Sequence, residues 1–195
     1  MKTTLFTSFS LALLFFTTIA MGQRVREVSG DPGIVNNVKK LNIVYDYSNM
    51  EVGKKSEKEY VNEKKDAYNS KEPGRGDKWA QPWVDDRQNR FEPRFEEVFN
   101  SVGDKIVGKF PSEKYTIILK TTFTEPGFNI GVMRKNAYID VEAWIVETAD
   151  QSKVIAKLSV ENCPGRTAFG TDFDNGLRLQ ESYAMAGKAL GKYFR

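Results

Sequence analysis

The sequence predicts an α+β fold: a small mixed, largely antiparallel four-stranded sheet with helices packed on one face. Three observations predict it. Four segments alternate apolar and polar residues with a period of two, the mark of a half-buried strand. Other segments repeat apolar residues at spacings of three and four, the mark of a helix with one buried stripe. The order runs strand, helices, three strands, helix, which suits one sheet with a layer of helices on it.

Residues 23–40 are mixed and turn-rich, with Asp31-Pro32-Gly33 as a turn. Leu41, Ile43, Tyr45 and Tyr47 then alternate with Asn42, Val44 and Asp46, giving a first strand. From Glu51 to Lys71 the chain is dense in interleaved Lys and Glu, with Tyr60, Val61 and Tyr68 as its large apolar residues. That pattern predicts a solvated helix docked by a narrow stripe, and not a basic patch. Glu72-Pro73-Gly74-Arg75-Gly76-Asp77 predicts a surface loop that stops it. Trp79, Trp83, Phe91, Phe95, Val98, Phe99 and Val102 predict a second helical region whose aromatic face is core. Pro93 either kinks that helix or stands in the first turn of a new one.

The remaining strands follow in turn. Tyr115, Ile117, Leu119, Thr121 and Phe123 mark one, and Ala137, Ile139, Val141, Ala143 and Ile145 the next. After a polar turn at Ala149 to Ser152, Val154, Ala156, Leu158 and Val160 complete an antiparallel hairpin. One face of these strands is apolar and the other mixed, as for a sheet covered on one side. Asp172, Asp174 or Asn175 can cap a final helix, where Leu179, Tyr183, Ala186, Leu190 and Phe194 recur at three and four. Gly187 and Gly191 share a face of it and predict a close approach to the sheet.

The N-terminus reads as a cleavable export signal over residues 1–22. Lys2 is followed by an uncharged apolar run from Leu11 to Ile19 and then by Ala20-Met21-Gly22, with small residues where a signal peptidase cuts. The run is shorter than the roughly 20 apolar residues of a membrane-spanning helix and is broken by Thr and Ser. Cleavage near Gly22/Gln23 would leave 173 of the 195 residues as a single α+β domain over 23–195. No cysteine stands at the cut to carry a lipid, and no second apolar run is long enough to cross a membrane. The expected location is therefore periplasmic or secreted.

Composition narrows the chemistry. Lys and Arg number 29 against 26 Asp and Glu, too balanced for a nucleic-acid binder. The lone cysteine, Cys163, cannot form an internal disulfide and is expected to be buried and inert, or else paired with another chain. There are no histidines, which removes Ser-His-Asp and Cys-His hydrolases and histidine zinc sites. Neither a cofactor nor a metal is expected.

Short motifs fare differently. Arg75-Gly76-Asp77 matches an integrin-recognition tripeptide, but so short a match recurs by chance and a glycine-rich turn explains it. Gly165 to Gly170 has the glycine spacing of a phosphate loop but continues with Thr171 and Asp172 in place of Lys and Ser/Thr. Arg166 within it could still hold a small anion. Asp172 to Gly176 resembles a calcium loop, but its glycine is fifth and its twelfth residue is Tyr183. Asp140 and Glu142 share one strand face beside Trp144, the best local arrangement of acids and an aromatic platform for a sugar. Loop 125–136 is the most suggestive surface: Phe128, Ile130, Val132 and Met133 lie among glycines and lead to Arg134-Lys135. Apolar residues in such a loop either fold back into the core or form a contact surface.

The element order behind a signal peptide resembles small envelope proteins of Gram-negative bacteria, namely the TolB N-terminal domain and the periplasmic domain of the curli-secretion lipoprotein. The segments KEPGRGDKW (Lys71 to Trp79) and TTFTEPGFNIGVMRK (Thr121 to Lys135) also look like a group of uncharacterised exported proteins of Gram-negative anaerobes. The resemblance implies an envelope or secreted accessory protein that works by binding, and supplies no catalytic residues. The expectation is an exported, non-enzymatic binding or assembly module whose partners are envelope proteins. Its expected contact residues are Phe128, Ile130, Met133 and Arg134, with Arg75 and Asp77 of the 72–78 loop. The alternative is a glycosidase-like, carboxylate-based hydrolase at Asp140, Glu142 and Trp144, with Arg166. Self-association through an exposed strand edge is a further route.

Overall fold

The computed structural model describes residues 23–130, 132–165 and 174–195. The strands are β1 (Val25–Gly30), β2 (Lys40–Asp46), β3 (Glu51–Val52), β4 (Lys55–Ser56), β5 (Ile106–Gly108), β6 (Tyr115–Glu125), β7 (Phe128–Asn129), β8 (Arg134–Lys135), β9 (Ala137–Glu147) and β10 (Asp150–Gly165). The helices are α1 (Glu57–Asn69), α2 (Arg75–Asp86), α3 (Glu92–Val102) and α4 (Asn175–Tyr193).

The predicted mixed, largely antiparallel sheet is present, but it has eight strands among the described residues, not four. Its order is β1-β10-β9-β6-β2-β5, with β3 beside β6 beyond the end of β2 and β4 paired to β3. β2 runs parallel to β5 and β6, and the β6-β9-β10-β1 half is antiparallel. The extra strands left little trace in the sequence. β3, β4 and β5 are two or three residues long, too short for a period to show. β1, read as turn-rich chain, is an edge strand exposed along most of its length and so has no apolar alternation.

Helix α1 starts at Glu57, six residues later than expected, because Glu51 to Ser56 forms the β3-β4 hairpin. A capping box fixes the start: the Ser56 hydroxyl accepts from Glu59 N at 3.3 Å, and Ser56 N donates to Glu59 Oε2 at 2.9 Å. Pro93 lies in the first turn of α3, the second of its two sequence readings. Lacking an N–H, it cannot continue the i→i−4 ladder, and a π-helical turn at Arg87–Phe91 joins α2 to α3.

The core lies between the sheet and α3 and α4. Phe95, Phe99 and Leu190 meet Ile117, Leu119, Ile145 and Leu158, all of them buried. Each such side chain contributes about 1.5–3 kcal/mol by leaving water. Gly187 and Gly191 do not face the sheet as expected. A Cβ on Gly187 would lie 2.5 Å from Phe95 O, and one on Gly191 2.7 Å from Phe99 O. These glycines bring α4 against the backbone of α3.

Candidate functional site

Beyond Glu125, β7 and β8 form a two-stranded ribbon separate from the main sheet. Phe128 pairs with Lys135 and Asn129 with Arg134, and Ile130 N donates to Met133 O at 3.0 Å. Its apolar side chains do not fold back into the core. Val132 is 91% exposed, Ile130 61% and Met133 58%, with Phe128 also exposed. Arg134, at the start of β8, is exposed as well.

The base of the ribbon is held by buried charge. Glu125, at the end of β6, accepts from Gly127 N at 3.0 Å and pairs with Lys135 on the returning strand. One carboxylate thus clips both limbs. Below it Arg178 reaches up from α4, only 2% exposed, and its guanidinium donates to Pro126 O at 3.2 Å and Gly127 O at 3.3 Å. Arg178 also donates to Asn175 Oδ1. Gly127 turns at φ +63°, where a Cβ would strike Lys135 O at 2.4 Å. The arrangement is an exposed apolar tip on a fixed mount.

Arg178 was not picked out in the sequence. The signal that could have found it is positional, since Arg178 sits at i−4 and i−5 from Ser182 and Tyr183, inside the buried stripe of α4.

The second expected contact surface is a loop only over Glu72 to Gly74. Helix α2 begins at Arg75, so Arg75-Gly76-Asp77 is its first turn. Gly76 is buried against α1, where a Cβ would lie 2.2 Å from Lys65 O. Asp77 pairs with Lys65 at 2.8 Å, which holds its carboxyl below the usual range. Arg75 lies over the Tyr68 ring at 5.4 Å. The tripeptide therefore stitches α1 to α2.

Asp140, Glu142 and Trp144 share the sheet face opposite the helices, half-buried, as the alternation implied. Each is already engaged. Asp140 Oδ1 accepts from Asn162 N at 2.6 Å and pins a bulge in β10, where Asn162 turns at φ +55°. Burial pushes the Asp140 carboxyl up, against the Asn162 bond that lowers it. Glu142 accepts from Trp144 Nε1 at 2.7 Å. Lys120 and Lys157, from the strands on either side, stand 4.4 and 4.0 Å from the Trp144 ring centre. A sugar could stack there only by displacing them. Arg166 lies outside the described residues, as do Gly22, Thr171 and Asp172.

Cys163 is fully buried in β10, and burial pushes its thiol up to about 12. Among the described residues no group of three or more Asp, Glu or Cys side chains could hold a metal. Among them, too, no helix is long and apolar enough to cross a membrane.

One concavity was not anticipated. Tyr68, expected to dock α1, and Trp79 and Trp83, expected to be core, line an open cleft against the start of α4, and Trp83 also packs on the core.

No protein-family model and no curated protein matches this chain. Among solved structures, a PelC dodecamer from Paraburkholderia phytofirmans aligns with 86% of this chain and 99% of that one. The identity is 11% and the TM-score 0.36, a likeness too distant to assign either fold or function.

Proposed function

We propose that this chain is an exported, non-enzymatic binding or assembly module of the cell envelope, working as a soluble domain from about Gln23 onward. The observation that carries the reading is the 126–136 ribbon: four large apolar side chains in solvent on a base fixed by Glu125 and Arg178. Exposed apolar clusters cost free energy in water and recover it when a partner covers them. A ribbon held at its base loses little conformational freedom on binding, which favours contact through its tip. The resemblance to TolB N-terminal and curli-secretion domains belongs to this proposal and points to the same compartment. No comparable observation favours a hydrolase at Asp140 and Glu142, whose carboxylates serve a strand bulge and an indole N–H.

The test is cross-linking in the cells that make the protein. A photo-reactive residue at Val132 should capture one or a few envelope proteins. The double variant Ile130→Ser, Met133→Ser should lose them while unfolding at the same temperature. Recovery of nothing above background, or capture unaffected by the double variant, would remove the ribbon as the contact surface.

A further inference from the structure

The cleft beside α2 has the composition of a receptor for positive charge. Trp79, Pro82, Trp83 and Asp86 recur at three, four and seven along α2 and so share one face. Tyr68 of α1, Phe91, and Asp174 and Asn175 at the start of α4 complete the walls. The open cleft offers about 340 Å³, enough for a small organic molecule.

The aromatic wall is built before any ligand arrives. Trp79 and Trp83 stack at 5.8 Å, Tyr60 leans on Trp83 at 5.1 Å, and Tyr68 on Trp79 at 5.8 Å. Trp83 Nε1 donates to Glu57 at 2.7 Å, which fixes the ring. The outer rings already carry cations, Arg75 over Tyr68 at 5.4 Å and Lys64 over Tyr60 at 5.6 Å. Among the described residues none stands over Trp79 or Trp83.

The polar wall adds negative charge. Arg90 serves both carboxylates, its Nε lying 3.1 Å from Asp86 and a terminal nitrogen 2.8 Å from Asp174. One guanidinium against two carboxylates leaves the pair with a net charge of about −1. Burial pushes the Asp86 carboxyl up; Arg90 lowers it, while Asp174 and Asp85 push it higher. Asp174 spends its other oxygen on Gly176 N at 2.7 Å as the cap of α4. Arg90 turns its donors to these two acids, with a terminal nitrogen beside Gly176 at the cleft wall. A ligand therefore meets two carboxylates of net charge about −1 and aromatic rings, with Asn175 as the neutral amide in the wall; the charge and the rings together favour a cation.

We propose that this cleft binds a small organic monocation, a quaternary or protonated amine, between the faces of Trp79 and Trp83 and the carboxylates of Asp86 and Asp174. It is independent of the ribbon and of its partner.

The full mature chain carrying Trp144→Phe leaves Trp79 and Trp83 as the fluorophores. Choline is the probe, and 3,3-dimethylbutan-1-ol its neutral isostere. Titration with choline should give a saturable fluorescence change, with the isostere at least about tenfold weaker because it lacks the charge. Asp86→Asn should weaken choline about tenfold without lowering the unfolding temperature, and Trp79→Ala should abolish the response. Glu142→Gln, on the opposite face of the sheet, should leave it unchanged. Equal binding of the isostere would overturn the proposal, as would choline binding unaffected by Asp86→Asn. So would saturable binding of glucose or N-acetylglucosamine without choline, or no saturable change at roughly millimolar choline.

Discussion

Replacing Arg178 with Met keeps much of the side-chain volume and removes the guanidinium that ties α4 to the ribbon. Two main-chain carbonyls, Pro126 O at 3.2 Å in a buried setting and Gly127 O at 3.3 Å in a part-buried one, then lose a charged donor. Hydrogen bonds to a charged group contribute about 1.5–3 kcal/mol each. The variant no longer buries a charge, which offsets part of the loss, so about 3–5 kcal/mol of destabilisation is expected. For a domain of this size that is a fall in Tm of roughly 6–20 °C. Arg178→Lys keeps the charge but cannot span both carbonyls with a planar fork, and should fall between the two. Thermal unfolding gives the magnitude, and hydrogen exchange read by mass spectrometry gives the place. Amides of residues 127–135 should exchange faster in Arg178→Met, ahead of those in the centres of β6 and β9. A Tm within about 2 °C of the parent would refute the reasoning. An equal loss of stability with unchanged exchange in the ribbon would also refute it, since Arg178 would then support the core and not the ribbon.

Three further outcomes follow from the same geometry. Gly187→Ala places a Cβ 2.5 Å from Phe95 O, so α3 and α4 must part, and urea unfolding should show a loss of about 1–3 kcal/mol. Burial raises the Asp46 carboxyl, but hydrogen bonds from Lys120 and Ser48 outweigh it and hold the group down at about 2. A depressed carboxylate contributes stability above its unfolded pKa and loses it as pH falls through the folded value. Between about pH 4 and pH 2 the parent should therefore lose more stability than Asp46→Asn, and equal slopes in acid-unfolding titrations would contradict this. Cys163, fully buried and with its thiol raised to about 12, should resist a thiol-disulfide reagent at pH 8 until the chain is unfolded in urea. Rapid labelling of the native protein would show that β10 opens.

Long periodic elements were legible because one buried face repeats. The alternation through 115–123 and 137–145 placed β6 and β9, and the three-and-four spacing from Leu179 onward placed α4. The same alternation put Asp140, Glu142 and Trp144 on one face. What could not be read is what else reaches that face. Lys120 and Lys157 meet Trp144 only because β6 and β10 flank β9. The 72–77 stretch shows the limit of local signals: Pro73 and Gly74 do make the turn that was read, yet Gly76 already belongs to α2 and lets it touch the backbone of Lys65.

The sequence by itself determined the α+β class, the apolar faces of β6, β9, α3 and α4 and the odd concentration of apolar residues between Phe128 and Met133, because these depend on residues close together in the chain. Only the tertiary structure decided that those residues stand in solvent, that Arg178 fixes their base across some 50 positions, and that Trp79, Trp83, Asp86 and Asp174 line one cleft. The physical reason is range. Periodicity reports which face of an element is buried, whereas a site depends on which distant elements the sheet order and helix packing bring together.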